Sequence, residues 1–323
     1  MQVKNYTKPS VQFIGPYPPP YGGVSTVIKN LMEQKILTLN YEISLYRAGA
    51  KKETTYWLFQ ILKDIVQIIR YFFTLRFKDI DVFYIHTSSY WSFLRNIPFI
   101  CISKYLSDGV TILHIHGGEF DEFFDKASPL VKKLVKKGLT TVNCIVVTAP
   151  SWVNVIKKII GNDISIFPIP NGYDEKKFFP SSQENARQGL HLPLDKKIII
   201  TVGSIEYHKG HRILIESMKT IAQTRDNVIA YIIGKGSLIE ELQRLINKYH
   251  LKDKIMFVGG NKTPEEVSVW VNASDIFVLP SLKEGNPTVM FECLACGKPF
   301  VGTSVGGIPD VITSPEYGLL CEP

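Results

Sequence analysis

The chain has 323 residues, 45% of them apolar and 21% charged, with a formal net charge of +7. That length suits two ordinary domains, each with its own core, and the composition is globular, which excludes a disordered or fibrous chain. No apolar run approaches the ~20 residues of a membrane-spanning helix, and the first ten residues lack the apolar core of a signal peptide, so a cytoplasmic location is expected.

The charge is unevenly shared. Residues 1–165 hold 20 Lys and Arg against 12 Asp and Glu, a net of +8, while the remainder holds 17 against 18. Nucleic acid, anionic lipid or a charged substrate could each answer a basic N-terminal half, as could a plain solvated surface. The five cysteines, Cys101, Cys144, Cys293, Cys296 and Cys321, are odd in number and scattered in mostly apolar stretches. Reduced, buried thiols fit this better than a disulfide framework. Cys293-x-x-Cys296 has no second Cys/His pair, so small core residues are a better account of it than zinc.

In chain order, Val11–Ile14 is an apolar strand ending in Gly15-Pro16. A Pro-rich loop then leads to Gly22-Gly23 and a helix over Val24–Met32. Strand, glycine turn and helix start suit a phosphate or sugar approaching the backbone. The G-x-G-x-x-G fingerprint is absent, and a structural turn is the alternative. Tyr41–Tyr46 reads as a strand. Thr54–Phe77 reads as a long helix with Trp57, Phe59, Tyr71, Phe72 and Phe73 among Lys63, Arg70, Arg76 and Lys78. Such a helix packs in a domain or rests on a membrane surface. Strands follow at Asp81–His86 and Val110–His116, with a helix over Trp91–Leu106 between them. His114 and His116 share a strand face. His114 reads as a core histidine. His116, at the carboxyl end before Gly117-Gly118, is the functional candidate, because open parallel sheets place ligands there. Lys132, Lys133, Lys136 and Lys137 form one helix edge. It is either a solvated face or a docking edge for anionic headgroups. Asn143–Thr148 and Ile164–Ile169 are further strands.

Pro168, Pro170, Asn171-Gly172, Phe179-Pro180-Ser181-Ser182 and Pro193 then make a turn-rich connector. Alternation restarts with strands at Lys197–Gly203, Val228–Gly234 and Ile255–Val258. Helices are expected up to Met218, up to Tyr249 and over Pro264–Val271. Gly234-Lys-Gly-Ser237 lacks P-loop spacing. Ile276–Leu279 is a buried strand, Pro299–Thr303 another, and Gly306-Gly307-Ile308-Pro309-Asp310 reads as a last helix start.

Ser281–Cys296 carries the most chemistry. Asn286 suits an N-cap, Pro287 the first helical position, and Gly297 with Pro299 closes the helix. Glu284 then lies in the strand-to-helix loop and Glu292 inside the helix, roughly 8 Å away. Between them the helix N-terminus offers unpaired N–H groups and a positive dipole end. Two carboxylates flanking an anion cradle suit a phosphate with hydroxyl-bearing groups on both sides, as in a nucleotide-sugar. Two solvated glutamates on a strand–loop–helix are the alternative.

These motifs together resemble the retaining, nucleotide-sugar-dependent glycosyltransferases of the GT-B fold, family four, also called group 1. Asn171-Gly172-Tyr173-Asp174 with Phe179-Pro180, Gly203 with Lys209-Gly210, the pair Glu284 and Glu292, Gly22-Gly23 and His116-Gly117 carry the resemblance. It implies an α/β chain of two doubly wound Rossmann-like domains facing across a cleft. Residues 1–172 would be the acceptor-side domain, 173–195 a linker region, and 196–323 a truncated nucleotide-sugar-binding domain, since family members continue for some tens of residues. It implies that Lys209, Glu284 and His116 are catalytic, with Lys209 neutralising the leaving diphosphate and His116 lying against the donor sugar. Donor binding would fall to Gly22, Gly23, Gly203, Ser204, Gly234, Asn286, Pro287, Thr288, Val289 and Glu292, the last holding the ribose hydroxyls.

No cofactor and no metal are expected: the chain shows no Asp-x-Asp pair of the sort that chelates a divalent ion on a diphosphate, and a fixed lysine supplies the cation. Ser204 departs from the family, which usually has an arginine there; either Lys209 carries more of the charge or Arg212 stands in. The function implied is transfer of a sugar, with retention, to an acceptor hydroxyl. The expected acceptor is a lipid-linked saccharide of surface polysaccharide synthesis, at the inner face of a membrane that the basic domain touches. Nucleic acid is not an expected partner. A catalytically silent nucleotide-sugar-binding or partner-binding member and a nucleotide-sugar epimerase are the other readings.

Overall fold

The computed structural model describes residues 8–19, 22–49 and 57–323, without the side chains of residues 57–60. The chain divides into two compact units, Met1–Pro170 and Asn171–Pro323. Each is built on one parallel six-stranded sheet.

In the first unit, β1 (Ser10–Gly15), β2 (Glu42–Arg47), β3 (Val82–Thr87), β4 (Val110–Ile115), β5 (Cys144–Val147) and β6 (Ser165–Pro168) pair in the order β2-β1-β3-β4-β5-β6. The chain runs outward from β1 to β2, then crosses back to β3, so the order reverses between β1 and β3. Alternate residues supply two faces. One carries Ile14, Phe83, Ile85, Leu113 and Ile115 into an apolar core with Phe93 and Phe99 of helix α4 (Trp91–Leu106). The other carries Phe13, Tyr84, His86 and His114; His86 is the cross-strand neighbour of His114. Helix α1 spans Gly23–Met32 and helix α3 spans Trp57–Leu75. The first residues of the expected helix, 54–56, and the side chains of Trp57 and Phe59 lie outside the described residues.

In the second unit, β7 (Lys197–Val202), β8 (Val228–Ile233), β9 (Ile255–Gly259), β10 (Ile276–Leu279), β11 (Phe300–Thr303) and β12 (Leu319–Cys321) pair in the order β12-β11-β10-β7-β8-β9. Continuous apolar runs form these strands because helices cover both faces. Ile198, Ile200, Ile229, Tyr231 and Ile233 enter one core. Ile199, Val228, Ala230 and Ile232 enter the other. The order reverses between β7 and β10, and at such a switch point loops leave the sheet in opposite directions and open a crevice.

Three local expectations need correction. The stretch 173–195, expected as linker, contains helix α8 (Gln183–Gly189) and belongs to the second unit. Arg187 of α8 ties it down by donating to Asp275 Oδ2 at 2.6 Å and to the carbonyls of Ala273 and Lys196. Helix α12 begins at Thr288, not Pro287, because Pro287 stays extended (ψ 121°) and becomes the N-cap. Gly306–Asp310 forms turns and not a helix. Cys293 and Cys296 are buried free thiols, as their apolar setting implied.

Candidate functional site

The loops after β7, β10 and β11 meet at the switch point of the second unit. Gly210 ends the short turn Tyr207–Lys209 and opens helix α9 (His211–Ala222) in the left-handed region, φ +64°. A Cβ there would stand 1.8 Å from the carbonyl oxygen of Pro280, so only glycine allows the first two loops to touch backbone to backbone. Leu282 N–H donates to the His208 carbonyl across the same contact, at 2.8 Å. Gly306 presses equally close on the third side: its Cβ would lie 1.8 Å from the Glu284 carbonyl oxygen. Gly307 N–H also donates to the Gly285 carbonyl at 2.6 Å.

This backbone frame brings two charged groups together. Lys209 Nζ donates to Glu284 Oε1 at 2.7 Å, and Ser281 Oγ donates to the same oxygen at 2.6 Å. Thr303 Oγ1 in turn donates to the Ser281 carbonyl. Glu284 is buried and Lys209 mostly so. Lys209 uses one of its three ammonium donors here, which leaves donors for a second anion.

Asn286 is 5% exposed, yet both its side-chain nitrogen and its side-chain oxygen lack a partner. Its carbonyl accepts from Asn171 Nδ2 at 2.5 Å. An amide this buried with both ends unsatisfied is uncommon in the absence of a bound partner. The N-terminus of α12 (Thr288–Ala295) follows directly and has no side-chain cap. Val289 lies in its first turn. Glu292 lies one turn beyond Thr288, about 6 Å along the axis, and burial pushes its carboxyl up to about 7.

Gly203 and Ser204 follow the carboxyl end of β7, and Gly234 that of β8. An added Cβ at Gly203 meets nothing within 4 Å, so packing does not demand glycine there, whereas at Gly234 it would collide with the Gly203 carbonyl. Arg212 does not replace the missing arginine: it pairs with Glu216 at 3.1 Å, one helical turn away, and with Glu241 at 3.8 Å on the surface of α9.

In the first unit, Gly22 is the extended N-cap of α1, and a Cβ at Gly23 meets nothing within 4 Å. His116 follows β4 and joins two other histidines: its Nε2 lies 2.9 Å from His86 Nδ1, and its ring stacks on His114 at 3.9 Å. Burial lowers all three, His114 to about 3, so the rings are neutral near physiological pH. One ring nitrogen from each of the three lies within 4.8 Å of the others.

Sequence reasoning missed Ser281, Thr303 and His86. A hydroxyl that supports a carboxylate, or a histidine paired across strands 30 residues apart, leaves no spacing signature. The Ser281-x-x-Glu284 interval was the available hint for the first.

Residues 182–323 match the family described as glycosyl transferases group 1. The chain is 28% identical over 209 residues to the putative teichuronic acid biosynthesis glycosyltransferase TuaC of Bacillus subtilis, covering 65% of this chain and 50% of that protein. It spans about half the length of the first curated relatives it matches. Sucrose-phosphate synthase from Thermosynechococcus elongatus superposes with a TM-score of 0.79 at 19% identity, over 98% of this chain and 86% of that one. Anabaena Alr3699/HepE in complex with UDP superposes with a TM-score of 0.75 at 17% identity, over 97% and 86%. The fold is thus that of the GT-B glycosyltransferases. The family match falls on the second unit, which over residues 182–323 is similar to the glycosyl transferases of group 1.

Proposed function

We propose that the chain transfers a sugar from a nucleoside-diphosphate sugar to an acceptor hydroxyl with retention of anomeric configuration. The observation that carries this reading is the pairing of Lys209 with Glu284 beside the open N-terminus of α12, at the switch point of the second sheet. Breaking the bond from sugar to diphosphate builds positive charge on the sugar and negative charge on the leaving group. Lys209 and the N–H groups of Asn286, Thr288 and Val289 stabilise the diphosphate where that charge grows. Pro287 has no N–H and sets the entry angle of the helix. Glu284 accepts from the sugar hydroxyls, and Glu292 from the ribose hydroxyls. The backbone at Gly203, Ser204 and Gly234 borders the phosphates. For the first unit, the role we propose is contact with a sugar for His116 and an open backbone for a phosphate at Gly22 and Gly23. The leaving phosphate guides the acceptor hydroxyl onto the same face of the sugar, so no protein nucleophile and no metal are assigned a role. The UDP held by HepE favours a uridine donor.

The acceptor we propose is a lipid-linked saccharide, in line with the teichuronic acid role in the name of TuaC. Helix α3 supports a membrane-facing site. Leu62, Ile65, Val66, Ile69 and Phe73 are exposed at helical spacing, with exposed Lys63 and Arg70 beside them, the pattern of a helix lying in an anionic interface. No described helix is long and apolar enough to cross a membrane. We propose that the transfer takes place at the cytoplasmic face of a membrane.

Serine at 204, where an arginine is usual, favours one second reading: a silent member that binds a nucleotide-sugar without transferring it. A radiolabelled-donor assay with lipid-linked acceptors separates the two. Transfer that Lys209→Ala and Glu292→Ala each abolish in folded protein supports the enzyme. Full activity in both variants removes it, and donor binding without transfer or hydrolysis supports the silent member.

A further inference from the structure

Three histidines, His86, His114 and His116, cluster on one face of the first sheet. Their nitrogens are spaced as a chelating set, within 4.8 Å, but the rings are oriented otherwise. His86 and His116 are inclined by only 16° and His114 and His116 by 29°, the latter stacked at 3.9 Å. An ion must lie in the plane of each imidazole, about 2.0–2.1 Å from each nitrogen. Stacked, near-parallel rings send their lone pairs side by side instead of onto one point. His86 Nδ1 and His116 Nε2, at 2.9 Å in nearly parallel rings, have the geometry of a hydrogen bond.

That bond has a direction. Each ring is neutral, so each carries one proton. His86 Nε2 is buried and has no partner. If His86 Nδ1 donates, the unpartnered nitrogen is a bare acceptor. If His116 Nε2 donates, the unpartnered nitrogen is a buried N–H with nothing to receive it. Orphaned donors are the rarer of the two in folded proteins.

We propose that His86 is a positioning residue: its Nδ1–H donates to His116 Nε2 and keeps the His116 proton on Nδ1, where it serves as a donor toward a sugar oxygen. The sugar contact rests on the reading of His116 given under the proposed function; the tautomer does not. The rest of the cluster immobilises this pair. His86 is 1% exposed and stacks on Phe13 at 5.8 Å and 16°. A Cβ on Gly15 would lie 3.2 Å from the His86 Cβ, so the end of β1 closes on it. Asn96 Nδ2 donates to the His86 carbonyl at 2.9 Å. On the far side His114 covers the His116 ring and is itself held by Tyr84, whose hydroxyl lies 2.9 Å from His114 Nδ1.

Heteronuclear nitrogen NMR of the folded protein tests this directly. The expected spectrum shows His116 protonated on Nδ1, with a scalar coupling across the His86–His116 bond. In kinetics, His86→Phe keeps the ring volume and the Phe13 stack but removes the donor. It is expected to lower kcat roughly 10- to 100-fold with little change in donor KM. His86→Asn, whose amide N–H takes the place of Nδ1–H, is expected to recover most of that loss. A His116 proton on Nε2, or an unchanged kcat in folded His86→Phe, overturns the proposal. So does one equivalent of Zn2+ bound by the wild type and lost in His86→Phe. The spectrum is read without any turnover, so failure of the transferase reading and failure of this one are told apart.

Discussion

Lys209 Nζ and Glu284 Oε1, 2.7 Å apart, close a bridge between the loops that leave β7 and β10. The two side chains sit 75 positions apart in the chain and on either side of the strand-order reversal. Each is the other's main compensation for lost hydration. Lys209→Ala therefore strands the Glu284 charge and is expected to cost about 2–4 kcal/mol, somewhat below a fully buried pair because Lys209 is partly exposed. Adding Glu284→Gln should return part of that loss, while transfer stays abolished. Urea midpoints of the two single variants and the double variant check this, and strictly additive losses contradict it.

Glu292 gives a pH dependence with a definite sign. Burial raises its carboxyl from the usual 4.5 to about 7. Between those values the folded chain holds a proton that the unfolded chain has lost, so this group's contribution favours folding less as pH rises. Donor binding runs the other way, because ribose hydroxyls need the ionised carboxylate as acceptor. Donor affinity is expected to weaken as pH falls below about 7, by up to tenfold per unit. Calorimetry across this range should show the slope in wild type and a flat profile in Glu292→Gln.

Arg187 anchors the second unit from α8. It is buried and donates to a carboxylate and to three carbonyls, those of Ala273, Leu194 and Lys196. Arg187→Ala is expected to cost about 3–5 kcal/mol, and Arg187→Lys to restore little, since a point charge cannot match the planar fork. Burial alone would raise the Asp275 carboxyl, but the Ile198 N–H and Arg187 outweigh it and hold it below its ordinary value. The stability this supplies is present above the unfolded value and is lost as pH falls through the folded one. Acid unfolding of Arg187→Ala should begin at higher pH than in wild type; coincident acid transitions contradict this.

The exposed stripe on α3 predicts vesicle binding. Wild-type protein should sediment with vesicles containing anionic lipid at low salt and be released by high salt. Ile65→Glu/Ile69→Glu should abolish sedimentation without changing the thermal midpoint by more than a few degrees. Equal sedimentation of both proteins rules out this face.

Much of the fold was legible because its signals are local. The six residues of β8, Val-Ile-Ala-Tyr-Ile-Ile, are all buried, and an unbroken apolar run of that length has few other uses. Helix α8 was hidden among Pro and Ser residues, and what decides it is Arg187 reaching Asp275, a contact no window contains. The pairing of Glu284 and Glu292 around a helix start was readable from spacing. The unmet amide of Asn286 and the Ser281 hydroxyl on Glu284 were not, because they depend on where three loops meet. His86 lay in plain view at the end of a strand; its importance comes from the register that sets it beside His114.

The account stands on the crevice at the β7–β10 reversal holding a nucleoside-diphosphate sugar. The most direct measurement is thermal shift with UDP-, GDP- and ADP-sugars, run on wild type and on folded Lys209→Ala. At about 100 times Kd a single bound donor stabilises the fold by about 2.7 kcal/mol. The expected result is an upward shift of several degrees with one nucleotide class, reduced or absent in Lys209→Ala. No shift with any of the three, or the same shift in both proteins, contradicts it.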